Sequence, residues 1–97
     1  MKTTVVNIKD GKGYDVYIGR PSKWGNPFFI GTDGSRAEVI EKFREYLMEH
    51  PELLADIEEL RGKRLGCYCV EKPISVVRQN KRCHGEVLLE VLSDQAF

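Results

Sequence analysis

A chain of 97 residues fits one domain, since single domains cluster at roughly 100–150 residues. With 41% hydrophobic and 31% charged residues it is neither a disordered tract nor a membrane span, because no apolar run approaches the ~20 residues that crossing a bilayer needs. The formal net charge of zero hides a segregation: residues 1–36 carry six basic and three acidic side chains, 37–60 two and eight, 61–85 seven and one, and 86–97 none and three.

Basic loops set against acidic helices can present a positive face to a phosphate-bearing ligand, because local potential matters more than net charge. The plainer reading is two solvated acidic helix faces joined by basic loops. The opening Met1 to Asp10 has no long apolar core and no small-residue cleavage site, which predicts a cytoplasmic chain. Three cysteines, an odd number, fit a reducing compartment and point to metal ligation or catalysis before a disulfide framework.

In chain order, the β-branched run Thr3 to Ile8, the turn residues Asp10-Gly11-Lys12-Gly13 and the alternating Tyr14 to Ile18 predict a β-hairpin. Gly19 to Thr32 is punctuated by Pro21, Gly25, Asn26-Pro27 and Gly31, and reads as a long shaped loop. Ser35 with Glu38 three residues on forms a capping box, opening a helix whose apolar face is Ile40, Phe43 and Leu47. Pro51 begins a second helix with Leu53, Leu54, Ile57 and Leu60 facing inward and Gly62 as its stop. Residues 64–69 alternate as a strand, with Leu65, Cys67 and Cys69 on one face and Gly66 and Tyr68 on the other. Residues 70–82 are polar and basic around Pro73, and a last helix runs from His84 to Ser93 with Val87, Leu88, Val91 and Leu92.

The order ββααβα predicts a small single-domain α/β sandwich over residues 1–97, with α+β as the neighbouring class. Helices would pack on a three- or four-stranded mixed sheet, with the 64–69 strand central and parallel to a neighbour. Open α/β sheets place ligands at the carboxyl ends of strands, which is where the cysteines fall.

Cys67, Cys69, Cys83 and His84 are all the cysteines and one of two histidines, gathered within eighteen positions. Cys₃His is a common tetrahedral zinc set, although Cys-x-Cys is tighter than usual knuckles and adjacent Cys83-His84 must both turn toward one ion. Against zinc stands the reading of Cys67 and Cys69 as small buried core residues. A third reading makes Cys83 a nucleophile, its thiolate favoured by a helix N-terminus, His84, Arg82 and Lys81, with no orienting third residue nameable from sequence. The zinc-deaminase pattern is absent, which disfavours base deamination.

The run Gly19 to Phe28 combines two cations, a hydroxyl, an amide and the chain's only tryptophan. Arg20 can grip phosphate bidentately, Lys23 adds a point charge, and Ser22 and Asn26 supply hydrogen bonds. Trp24 or Tyr68 could stack a base, unless Trp24 and Phe28 plug the core.

The segments Ile18-Gly19-Arg20, Lys23-Trp24-Gly25-Asn26-Pro27-Phe28, Arg61-Gly62-Lys63, Leu65-Gly66-Cys67-Tyr68-Cys69 and Cys83-His84-Gly85 resemble a family of short bacterial, archaeal and viral proteins built on a domain of unknown function. The resemblance covers nearly the whole chain and implies that Arg20, Lys23, Trp24, Asn26, Cys67, Cys69, Cys83 and His84 share one site, without implying a reaction. The sequence departs from that pattern in a long basic stretch between Cys69 and Cys83, and in Glu86, where Asp is usual.

These observations predict a zinc-stabilised domain that binds a nucleotide or nucleic acid, with phosphates on Arg20, Lys23, Lys81 and Arg82 and an anion at the start of the last helix. One rival is an enzyme acting on a nucleotide or nucleotide sugar through Cys83 or a metal-activated water. The other is a module binding a host or viral protein through the acidic 38–59 helices.

Overall fold

The structure, a computed structural model, describes residues 3–68, 70, 73–75 and 81–94. Three short strands, β1 (Thr4–Asn7), β2 (Val16–Tyr17) and β3 (Arg64–Cys67), form one sheet in the order β1-β3-β2. The 64–69 strand is therefore central, and both neighbours run parallel to it, with Leu65 opposite Val5 on one side and Val16 on the other.

The expected hairpin between β1 and β2 does not form. Asn7 instead caps a 3-10 turn over Ile8–Asp10, its side chain accepting the Lys9 N–H, and the 8–15 connection crosses the sheet to start a second parallel strand. Gly66 is what admits that crossing. A Cβ there would come within 2.7 Å of Tyr14 Cγ and 2.9 Å of Ile8 Cγ1, so the connection lies where any side chain on β3 would stand. Asp15 then fastens the start of β2 by accepting the Arg64 backbone N–H at 2.8 Å. Ile74 bridges the outer edge of β1 antiparallel, through Val5 N–H to Ile74 O at 2.7 Å and the reverse bond at 2.9 Å. The sheet is mixed by virtue of that bridge.

On the opposite face lie α1 (Arg36–Met48), α2 (Pro51–Asp56), continued by a 3-10 turn over Ile57–Leu60, and α3 (Gly85–Asp94). The observed element order is that read from the sequence. Both halves of the Ser35–Glu38 capping box are formed, which satisfies two otherwise orphaned N–H groups at the start of α1. Phe43 and Leu47 of α1, Ile57 and Leu60, Leu65 of β3 and Leu88 of α3 are fully buried in one core, which Val5 and Ile18 join from the strand side. Each such side chain contributes about 1.5–3 kcal/mol of burial. Among the described residues no helix is long and apolar enough to cross a membrane.

Five features converge at one end of the sheet: the carboxyl ends of β2 and β3, the loop that follows β2, the start of α1 and the start of α3. Parallel strands force this meeting, because every strand then points its carboxyl end the same way.

Candidate functional site

The convergence encloses a cleft of about 270 Å³ lined by Tyr17, Gly19, Arg20, Asn26, Phe28, Ile30, Arg36, Val39, Ile40, Cys67, Tyr68, Arg82, Cys83 and His84. Three arginines line it, and none of its lining side chains is acidic. Arg20 donates from Nε to the Asn26 carbonyl at 2.8 Å, and its guanidinium lies 4.0 Å from the Phe29 ring centre. Arg36 donates from Nη1 to the Arg82 carbonyl at 3.0 Å, tying the start of α1 to the turn before α3. Backbone carbonyls position these two guanidiniums without cancelling their charge. Arg36 also stands in the first turn of α1, the end of the helix macrodipole where a cation is disfavoured by about 0.3–1 kcal/mol. Helix stability does not account for it there.

The aromatic side is formed by Tyr17 and Tyr68, edge to face at 6.4 Å between ring centres. Tyr17 donates its hydroxyl to the Arg20 carbonyl at 2.7 Å and so shapes the loop. Tyr68 is 55% exposed, with Lys9 Nζ 5.9 Å from its ring centre.

At the floor lie two thiols and an imidazole. Cys67 Sγ and Cys83 Sγ are 3.0 Å apart, and both residues are buried. His84 Nε2 is 2.6 Å from the Ile18 carbonyl oxygen, which can only accept, so Nε2 carries the proton. His84 Nδ1 is then the ring nitrogen that faces Cys83 Sγ, at 3.8 Å. The Gly85 N–H also points at that sulfur, at 3.4 Å. The third, orienting group of a Cys-His pair is thus a backbone carbonyl, which no side-chain motif could reveal.

The expected site residues divide. Arg20, Asn26, Cys67, Tyr68, Arg82, Cys83 and His84 meet in the cleft. Asn26, although at the wall, is committed to structure: its Nδ2 donates to the Val39 carbonyl at 3.1 Å and its Oδ1 accepts the Phe28 N–H at 2.9 Å. Ser22 lies outside the lining and spends its backbone on the turn, donating to Gly19 O and accepting from Gly25 N–H. Trp24 is 2% exposed within the core, so no base stacks on it. Lys23 points elsewhere, its Nζ 3.1 Å from Asp56 Oδ2 and 2.9 Å from Glu59 Oε1. Those two carboxylates, Glu59 foremost, raise the lysine above its ordinary pKa. Lys81 is likewise turned to Glu90, at 3.7 Å, rather than to the cleft. Cys69, Lys72 and Arg78 lie outside the described residues.

The start of α3 is occupied from within. Glu86, fully buried, accepts the backbone N–H groups of Arg82 at 2.8 Å and Cys83 at 3.1 Å, so an incoming anion does not find those donors vacant. The longer Glu reaches back to both.

For zinc the donor types are right, two thiols and an imidazole whose other nitrogen is held by a carbonyl. Two zinc–sulfur bonds of about 2.3 Å at a tetrahedral angle hold their sulfurs about 3.8 Å apart, so Cys67 and Cys83, at 3.0 Å, would part by roughly 0.8 Å to share one ion. Among the described residues no group of three or more His, Cys, Asp or Glu is arranged to hold a metal ion.

Arg36 and Tyr17 are cleft residues that sequence reasoning missed. The sequence reading assigns Arg36 no role and places Tyr17 at one position in an alternating strand. A cation in the first turn of a helix was the available signal for Arg36.

The chain is 39% identical over 87 residues to uncharacterized protein R718 of Acanthamoeba polyphaga mimivirus, covering 79% of this chain and 65%, just under two thirds, of the viral protein. It is 36% identical over 94 residues to the uncharacterized 12.4 kDa protein in the nrdA-td intergenic region of Enterobacteria phage T4, covering 92% of this chain and 76% of the phage protein. No solved structure matches. Residues 6–94 match the model of the domain of unknown function DUF4326, and the chain belongs to that family.

Proposed function

We propose that the cleft binds a phosphorylated nucleotide. The observation that carries this reading is the set Arg20, Arg36 and Arg82 around one cavity with no carboxylate in its lining. Guanidinium forks suit phosphate oxygens bidentately, and a cavity of about 270 Å³ lies near the lower end of ligand-site sizes, which suits one nucleotide unit. Tyr68, exposed at the rim, offers a base a ring face. A free nucleotide and the end of a single strand present the same phosphate, sugar and base to these groups. The cytoplasm of a prokaryote or of a virus-infected cell would supply either.

Titration calorimetry with a nucleoside, its monophosphate and a short single-stranded oligonucleotide, each at low and moderate salt, tests the reading. The monophosphate binds at least about tenfold tighter than the nucleoside and loses affinity with salt, since charge-assisted hydrogen bonds contribute about 1.5–3 kcal/mol and phosphate contacts release counterions. Equal binding of nucleoside and nucleotide, or salt-independent binding, refutes it. Oligonucleotide binding no tighter than the monophosphate identifies the free nucleotide as the ligand.

A second reading is favoured by the Cys83–His84–Ile18 geometry: an enzyme that attacks such a nucleotide, or a nucleotide sugar, with the Cys83 sulfur. The carbonyl of Ile18 fixes the histidine tautomer, leaving Nδ1 to take the thiol proton. Incubation with a bound nucleotide followed by intact-mass analysis distinguishes the two, because a covalent adduct on Cys83 belongs only to the enzyme.

A further inference from the structure

The two sulfurs at the cleft floor lie 3.0 Å apart, and this is a second chemistry separate from anion binding. We propose that Cys67 and Cys83 form a reversible dithiol–disulfide couple, with Cys83 as the attacking thiol and Cys67 as the resolving one. The proposal stands whether or not the cleft takes a nucleotide.

Three observations support it. First, Cys67 Sγ and Cys83 Sγ lie 3.0 Å apart although they are sixteen positions apart in the chain. Bonding them requires the sulfurs to close by about 1 Å, within the reach of small side-chain adjustments. Second, the two are not equivalent. Cys83 receives the Gly85 N–H at 3.4 Å, faces His84 Nδ1 at 3.8 Å and immediately precedes the ten-residue helix α3. The Gly85 N–H favours the thiolate, the form that attacks, and His84 Nδ1 can take the thiol proton, while the Glu86 carboxylate on the Cys83 N–H offsets the helix terminus. Cys67 lies at the end of a strand with the Cys83 sulfur beside it. Third, both residues line the cleft, which gives a small reagent a route to sulfurs buried from the rest of the surface.

The step balances with a small-molecule disulfide as the oxidant. The Cys83 thiolate attacks one sulfur of that disulfide, forming a mixed disulfide and releasing one small thiolate. The Cys67 thiol, losing its proton to solvent, then attacks Cys83 Sγ and displaces the second thiolate. Two electrons pass from the protein to the small molecule, whose two halves leave as thiols after taking up two protons. A small dithiol reverses both steps.

The full-length protein is equilibrated with mixtures of reduced and oxidised glutathione, quenched in acid, alkylated, digested and mapped by mass spectrometry, with metal content measured on the same sample. The expected result is loss of two hydrogens from the chain and one linked peptide pair joining Cys67 to Cys83, restored to thiols by dithiothreitol. In Cys67→Ser the reaction stops at one glutathione on Cys83, and in Cys83→Ser the remaining thiols react at least about tenfold more slowly. A linkage through Cys69, thiols that stay reduced until the protein unfolds, or one tightly bound zinc per chain that blocks oxidation overturns the proposal. Should either serine variant melt at room temperature, the linkage map of the unaltered protein decides alone.

Discussion

The cations on either side of the 19–28 loop divide by the partner each one keeps. Arg20 and Arg36 donate to backbone carbonyls and line the cleft, so their position is set while their charge stays available to a ligand. Lys23 sits between Asp56 and Glu59, and Lys81 beside Glu90, so both are spent on the protein's own carboxylates. The segment that reads as one basic ligand kit is two things. Its Arg20 end belongs to the cleft, and its Lys23-Trp24 end fastens the loop to the 3-10 turn and the core. A basic residue near a candidate site is therefore informative only once its counter-group is known, and an oriented but uncancelled guanidinium is the stronger sign of an anionic ligand.

Substitution at Trp24 breaks this division most severely. Trp24→Ala empties a fully buried position and costs about 3–5 kcal/mol, a large share of the 5–15 kcal/mol available to a small domain. Urea denaturation measures it, and a cost under about 1 kcal/mol would return the ring to the ligand side. Next comes Glu86→Ala, which leaves the Arg82 and Cys83 N–H groups without their described carboxylate acceptor at a cost of about 1–3 kcal/mol. That variant also loosens the turn carrying Arg82 and Cys83, so nucleotide binding and the dithiol reaction weaken together. Glu86→Asp, with a shorter reach, falls between it and the unaltered protein in the same denaturation assay.

Binding separates the two kinds of cation more sharply than stability does. Arg36→Gln lowers nucleotide affinity about tenfold and reduces the salt dependence, with melting nearly unchanged, because its one described protein bond is to an exposed carbonyl. Lys23→Gln leaves affinity within about twofold, a margin set by the absence of any phosphate contact to lose. Equal losses in the two variants would show that the ligand spans the loop and would remove the distinction drawn above.

Local chemistry made the helices readable before the fold was known. The Ser35–Glu38 box and Pro51 at a helix start act through neighbouring residues alone, and both stand as expected. Strand pairing is a non-local property, and there the expectation held only in part: the 64–69 strand is central and parallel, but the hairpin is absent. Asp10-Gly11-Lys12-Gly13 does form a turn, with Gly11 and Gly13 at positive φ, but the turn ends a 3-10 segment instead of closing a hairpin. The deciding residue, Gly66, lies more than fifty positions away and acts by leaving room for Tyr14 and Ile8. The site was half visible for the same reason. Clustering of Cys67, Cys83 and His84 in sequence does correspond to contact, while the Ile18 carbonyl and the Gly85 N–H that prepare Cys83 are backbone groups no motif records.

The smallest expected effect concerns pH and returns to Lys23. Its hydrogen bonds to Glu59 and then Asp56 raise its folded pKa above the unfolded value of about 10.4. A raised cation contributes stability that is fully present below the unfolded value and fades as pH rises through the folded one. The melting difference between the unaltered protein and Lys23→Gln is therefore constant from neutral pH to about pH 9 and shrinks above pH 10. The lysine is exposed, so salt reduces that difference as well. A difference that persists at high pH and high salt would mean that Lys23 acts through its aliphatic stem, which runs toward the Trp24 ring with Nζ 5.2 Å from its centre, and that the loop is held by packing with little help from charge.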